Sequence, residues 1–170
     1  MKKIFLLLFL VSFVQINTQN KEQKECPCCT ENHQQFDFWV EDWTVYSTNG
    51  KVVGTNKITK LYGDCVIREE WVSTSPNRGT SNNYYNSSDN TWNQVWIDNS
   101  GFSLVLKGKL IEGEMVLKSD IIKGQKGDYY NQITWTPNKD ESVTQVWKYF
   151  KEDGSLIQEA FRGIYKKNKN

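Results

Sequence analysis

The chain has 170 residues, of which 21 are Lys or Arg and 20 are Asp or Glu, for a formal net charge of +1. So even a balance provides no basic field to recruit nucleic acid or an anionic lipid surface. The single histidine, His33, removes most histidine-based catalysis and histidine-rich metal sites, while seven Trp, eight Tyr and eight Phe favour strands and ring-lined cavities.

Lys2 and Lys3 form a positive start, followed by an apolar run over residues 4–14 broken only by Ser12. That run is well short of the roughly 20 residues a bilayer-spanning helix needs, but it suits the apolar region of a secretory signal peptide. Residues 1–20 are therefore read as a signal peptide cut between 17 and 21, and the mature protein as secreted or periplasmic, with no integral membrane segment. About 150 residues remain, the usual size of one domain. Residues 21–35 read as a cysteine-containing leader and residues 36–166 as a single domain.

The leader carries Cys26-Pro27-Cys28-Cys29, and Cys65 follows much later. In an exported chain four cysteines make two disulfides most simply. Cys65 opens a strand, so one leader cysteine can staple the leader to the domain. Cys28 and Cys29 are adjacent and ill-suited to pairing with each other. The remaining bond then joins Cys26 to Cys28 or Cys29 in a small, strained ring. A metal reading, with Cys26, Cys28, Cys29 and His33 as an S₃N set for zinc or Cu(I), has a spacing unlike the usual zinc patterns and competes with oxidation. No metal site is assigned, and thiol exchange between Cys26 and Cys28 ranks lower still.

Residues 30–35 predict one helical turn. Ten candidate strands follow, over 38–47, 51–61, 65–74, 80–86, 91–98, 102–109, 114–122, 129–136, 142–150 and 156–165. Turn residues separate them, among them Asn49-Gly50, Glu112-Gly113 and Asp153-Gly154, which tolerate the positive φ of tight hairpins. Consecutive short strands joined by hairpins predict an all-β, up-and-down antiparallel barrel, the arrangement that leaves no open edge.

Period-two alternation assigns the faces. In the third strand Cys65, Ile67, Glu69 and Trp71 share the more apolar face, which points it inward. Glu69 then lies between Ile67 and Trp71, where an ionised carboxylate needs a donor, water or a raised pKa. Two Gln-Val-Trp tripeptides place Gln94 with Trp92 and Trp96, and Gln145 with Trp147 and Tyr149. The fourth strand is ambiguous by pattern alone, since Ser81, Asn83 and Tyr85 look much like Thr80, Asn82 and Tyr84. Phe102, Leu104, Leu106, Met115, Leu117, Ile133 and Trp135 complete an interior that is apolar on one side and polar on the other. Buried amides must find partners. Rings with a few polar groups make either a small-molecule site or a filled core with an internal hydrogen-bond network.

Phe36-Asp37-Phe38-Trp39-Val40-Glu41-Asp42-Trp43 resembles FDFWxGxW, the opening signature of a bacterial, often secreted, lipocalin-like domain family of unknown function. The resemblance continues through Gly63-Asp64-Cys65, Glu69 and Trp71; Gly79, Ser81, Asn83 and Tyr85; Trp92, Gln94, Trp96 and Asp98; Ile133-Thr134-Trp135; Val143, Gln145 and Trp147; and Gly163 with Tyr165. It covers residues 36–165. It implies a calycin-type barrel, like the lipocalins and fatty-acid-binding proteins, with odd-numbered residues inward in the third and fourth strands and Trp43 plugging one end. It implies no activity. Glu41 departs from the signature's glycine, and Arg162 stands where an acid is expected.

These readings make the protein a barrel binding a small, partly apolar ligand, with Glu69, Trp71, Asn83, Tyr85, Gln94, Trp96, Trp135, Gln145 and Trp147 as ligand-binding candidates. No catalytic residue and no cofactor is assigned; haem would lack an interior histidine. The alternatives are an enzyme using Glu69 as acid or base, and a filled barrel acting through its surface or its cysteines. Paired-carboxylate chemistry would need a second inward acid, for which Asp98 and Asp120 are the candidates, both near strand ends.

Overall fold

A computed structural model describes residues 26–168. The expected signal peptide and the start of the leader lie outside the described residues. A short helix, α1 (Glu31–Gln34), and a 3₁₀ turn (Asp37–Trp39) lead into ten strands: β1 (Asp42–Tyr46), β2 (Val52–Leu61), β3 (Val66–Ser73), β4 (Arg78–Asn86), β5 (Thr91–Asp98), β6 (Ser103–Ile111), β7 (Glu114–Lys118), β8 (Tyr129–Pro137), β9 (Val143–Lys151) and β10 (Leu156–Lys167). Each strand pairs antiparallel with the next, and β1 pairs with β10, with Val45 opposite Tyr165, to close the barrel. The expected all-β, up-and-down barrel is what forms.

Two strands, the first and the seventh, are shorter than the alternation predicts by four or more residues, for local reasons. The pattern over 38–47 includes a stretch that is not strand: the Val40 N–H bonds to Asp37 O at 3.0 Å and closes the 3₁₀ turn. That turn sends Phe36 and Trp39 into the barrel mouth, both fully buried. The seventh strand ends at Lys118, not 122. Ser119 still exchanges bonds with Asn131, its hydroxyl accepting the Asn131 N–H at 2.9 Å, before the chain swings away and returns through an isolated bridge between Ile122 and Tyr129.

The interior follows the expected faces except at Phe102, which precedes β6 at the open rim and is exposed instead of interior. Ile67, Glu69, Ser81, Asn83, Trp92, Gln94, Leu104, Leu106, Met115, Leu117, Ile133, Trp135, Gln145 and Tyr165 are all buried. The fourth strand, ambiguous by itself, turns Ser81 and Asn83 inward because its register sets them opposite Glu69 and Ile67. Strands β6 to β8 supply the apolar wall, and β2 to β5 the polar one.

The two ends differ. At the end holding the β2–β3, β4–β5, β6–β7 and β8–β9 turns, the leader folds over the opening. Cys28 is bonded to Cys65, which fastens the leader to the β2–β3 turn, and Cys26 is bonded to Cys29. Lys60 Nζ meets Asp37 Oδ2 at 2.6 Å and ties the 3₁₀ turn to β2. Phe36 stacks on Trp39, with ring centres 4.9 Å apart, and meets Trp92 and Trp135 edge-on at 5.6 and 5.2 Å. The plug is therefore Phe36 with Trp39. Trp43, the residue expected to fill that role, stands in β1 beneath them, its indole N–H bonded to Trp39 O at 2.9 Å. The opposite end is open.

Candidate functional site

The open end leads into a cavity of about 380 Å³. Its mouth is framed by Ser75 and Asn77 of the β3–β4 turn and by Ala160 of β10, all exposed. Below the mouth stand half-buried rings: Trp71 on β3, Trp96 on β5, Trp147 on β9 and Phe161 on β10. Trp71 meets Phe161 edge-on at 6.2 Å, and Trp147 meets Tyr149 edge-on at 5.7 Å. Phe102 stacks against Trp147 from the β5–β6 side.

Two glycines explain how large rings leave a cavity. A Cβ on Gly79 would lie 2.4 Å from Trp96, and one on Gly54 would lie 2.5 Å from Trp71. Each indole thus lies across the neighbouring strand where only hydrogen occupies the space. Flat against the wall, the rings line the lumen without filling it.

The deeper wall is polar. Glu69 and Ser81 face each other directly across β3 and β4, as do Asn83 and Gln94 across β4 and β5. Glu69 Oε1 accepts the Asn56 amide N–H at 2.7 Å, and Oε2 accepts the Ser81 hydroxyl at 2.7 Å. Asn83 Nδ2 donates to Ser81 Oγ at 2.9 Å and to Ile67 O at 3.0 Å. Gln94 Nε2 donates to Asn83 Oδ1 at 2.8 Å. The Tyr165 hydroxyl donates to Gln145 Oε1. Burial pushes the Glu69 carboxyl above the usual carboxylate range, against the opposing pull of its Ser81 and Asn56 hydrogen bonds. Burial, and then the Glu69 charge, push the Tyr165 phenol well above its ordinary value, so it stays a neutral donor.

Six of the nine ligand-binding candidates line the cavity: Glu69, Trp71, Gln94, Trp96, Gln145 and Trp147. The other three sit elsewhere. Asn83 lies behind Gln94 as its acceptor. Tyr85 is at the closed end, bonded to Asn90 at 2.9 Å and edge-on to His33 at 5.1 Å. Trp135 is fully buried under the plug, 5.3 Å from Trp39. Strand alternation puts all three inward but does not say how far along the barrel each one lies, and only depth separates cavity from core. Sequence reasoning missed Asn56, Phe161 and Tyr165 as site residues. Asn56 and Tyr165 carry an alternation signal, while β10 has register shifts between Leu156 and Gln158 and between Glu159 and Phe161 that break the pattern around Phe161.

Among the described residues Glu69 is the one carboxyl group lining the cavity, and no Lys, Arg, His or Cys joins it. Asp98 turns to its own hairpin, its Oδ1 accepting the Ser100 hydroxyl at 2.6 Å, and that bond lowers its pKa first among several causes. Asp120 is exposed on the chain beyond β7. His33 sits on α1, bonded to Thr30 at 2.7 Å. Cys26, Cys28 and Cys29, its partners in the alternative metal set, are all held in disulfides. Arg162 makes an outward pair with Glu159 at 2.6 Å. No protein-family model matches the chain, and no curated protein matches it.

Proposed function

We propose that the protein is an exported carrier or scavenger that holds a small, partly apolar ligand non-covalently inside the barrel. The observation that carries this is the contrast within one barrel: one end is sealed by a stapled plug, while the other opens on a cavity of about 380 Å³ walled by rings and floored by polar groups. A volume of this order suits a small organic molecule, and rings with a few placed polar groups are the usual lining of such sites. Two disulfides fit an oxidising compartment outside the cytoplasm, as does the expected signal peptide. The resemblance to secreted lipocalin-like domains agrees with the same reading. Trp71, Trp96, Trp147 and Phe161 supply contact area; Glu69, Gln94, Gln145 and Tyr165 set orientation.

The test uses N-phenyl-1-naphthylamine, a neutral fluorophore of one phenyl and one naphthyl group whose emission rises in an apolar site. We expect micromolar binding to the unaltered protein. Gly79→Ala, whose Cβ would lie 2.4 Å from the Trp96 ring and 2.8 Å from Ile97 O, displaces that ring into the lumen and should weaken binding about tenfold or more at temperatures where circular dichroism shows the variant folded. Equal binding by both proteins would place the probe outside the cavity and count against the proposal. Native mass spectrometry of protein recovered from a secreting host then identifies what the cavity holds.

A further inference from the structure

We propose that the ligand is an amine with an aromatic or otherwise flat apolar body. Its protonated nitrogen sits against Glu69 and its body between the indoles. This rests on the cavity reading above and adds the chemical class.

The hydrogen-bond inventory of the floor points this way. Its donors are largely committed to the protein: Asn56 Nδ2 and the Ser81 hydroxyl to Glu69, Gln94 Nε2 to Asn83, and the Tyr165 hydroxyl to Gln145. Of the lining donors, the Gln145 amide nitrogen, the Tyr149 hydroxyl and the Trp71 and Trp96 indole N–H groups have no protein acceptor. Around Glu69 itself acceptors are in excess. Each Glu69 oxygen takes one protein donor and has room for another. Asn56 Oδ1, on the same amide that donates to Glu69, is buried without any partner just behind the cavity lining. A ligand that fits this corner brings donors, and an ammonium group brings up to three together with a positive charge.

Charge selects in the same direction. Groups facing Glu69 are Asn56 from β2, Ser81 from β4 and Tyr165 from β10, and none of them, nor any other lining residue, is cationic. A carboxylate or phosphate ligand would meet an acid and acceptors with no counter-charge, which disfavours fatty acids and other anions. An ammonium meets an acid that it can ionise, and the raised pKa of Glu69 in the empty barrel is relieved by the pairing. The indole faces above the acid carry negative quadrupole potential and also favour a cation. The pair is enclosed in a low-dielectric site, where a charge-assisted hydrogen bond is stronger than in water.

Three probes of one shape decide the matter: 2-(1-naphthyl)ethylamine, 2-(1-naphthyl)ethanol and 1-naphthylacetate. Each is titrated calorimetrically at pH 7 into the full chain produced by a secreting host, and into its Glu69→Gln variant. The amine is expected to bind about tenfold or more tighter than the alcohol, and the acetate weakest. Glu69→Gln should bring the amine down to the level of the alcohol and leave the alcohol nearly unchanged. An alcohol that binds the unaltered protein as well as the amine does overturns the amine assignment and leaves the cavity reading standing. So does an amine preference that survives in Glu69→Gln. Failure of all three probes to bind at millimolar concentration overturns both. The amine-to-alcohol ratio is measured on the unaltered protein, so it decides between amine and alcohol even if Glu69→Gln does not fold.

Discussion

At the closed end of the barrel Phe36, Trp39, Trp92 and Trp135 are at most 2% exposed and pack ring on ring. At the open end Trp71, Trp96, Trp147 and Phe161 are half-buried around a cavity. The same residue types thus build a core at one end and a site at the other. The difference comes from what covers them. The leader, held by Cys28–Cys65, covers this end, and the 3₁₀ turn after it, held by the Asp37–Lys60 ion pair, inserts Phe36 and Trp39 among the rings already present. No described residue does this at the open end. There, Gly54 and Gly79 let the indoles lie back against the wall.

The strongest way to break this contrast is to remove one indole from each end. Trp135→Ala leaves a large void among rings that cannot collapse into it, and should cost about 3–5 kcal/mol. Trp96→Ala removes a ring that water already reaches and whose indole N–H holds no buried partner. It should cost about 1 kcal/mol, while abolishing probe binding. Urea denaturation of the two variants measures the gap. Similar losses of stability at both ends would mean that the open-end rings are core after all.

This contrast also marks where sequence reading stops. Alternation identified the inward face of β3 and of β5 to β9, including Glu69 between Ile67 and Trp71, because the side-chain period of a strand is two residues; β4 reads alike on both faces and only its register against β3 decides it. It placed Asn83, Tyr85 and Trp135 among the ligand-binding candidates as readily as Trp96, because a period-two pattern carries no depth. Depth depends on the slanted register between strands and on the 3₁₀ turn that buries Phe36 and Trp39. That turn lay hidden inside the apparent first strand, where Phe38, Trp39 and Val40 read as strand residues. The leader staple was legible in outline from the position of Cys65 at a strand start. Which leader cysteine makes the bond depends on the path of residues 26–35, which alternation does not describe.

Removing the staple tests the closed end more gently. Cys28→Ser with Cys65→Ser opens a loop whose ends are 37 residues apart in sequence. It should lower stability by about 2–4 kcal/mol, chiefly through greater freedom of the unfolded chain. The folded barrel should persist, since the strands close without it, and binding of N-phenyl-1-naphthylamine at the far end should be unchanged at temperatures where the variant is folded. A large loss of binding in the folded variant would show that the two ends are coupled.

The smallest effect concerns the one acid in the cavity floor, and its sign is fixed by linkage. Burial raises the folded-state pKa of Glu69 above its ordinary value of 4.5. The folded protein therefore holds that proton more tightly than the unfolded chain does. The resulting stabilisation is fully present below the unfolded pKa and is lost as pH rises through the folded one. Surface acids shift the other way. Asp89, Asp98, Asp140, Asp153 and Glu159 all have lowered pKa values, so their contributions are lost as pH falls. Total stability against pH mixes the two trends. The difference between the unaltered protein and Glu69→Gln isolates the buried acid, because the surface acids are common to both. That difference should move against the unaltered protein as pH rises above about 4.5, by at most about 1.4 kcal/mol per pH unit. It should level off once Glu69 is ionised in both states. A flat difference between pH 4 and 8 would mean that Glu69 is as well solvated in the barrel as in the unfolded chain, and that the cavity floor is open to water instead of shielded by the rings above it.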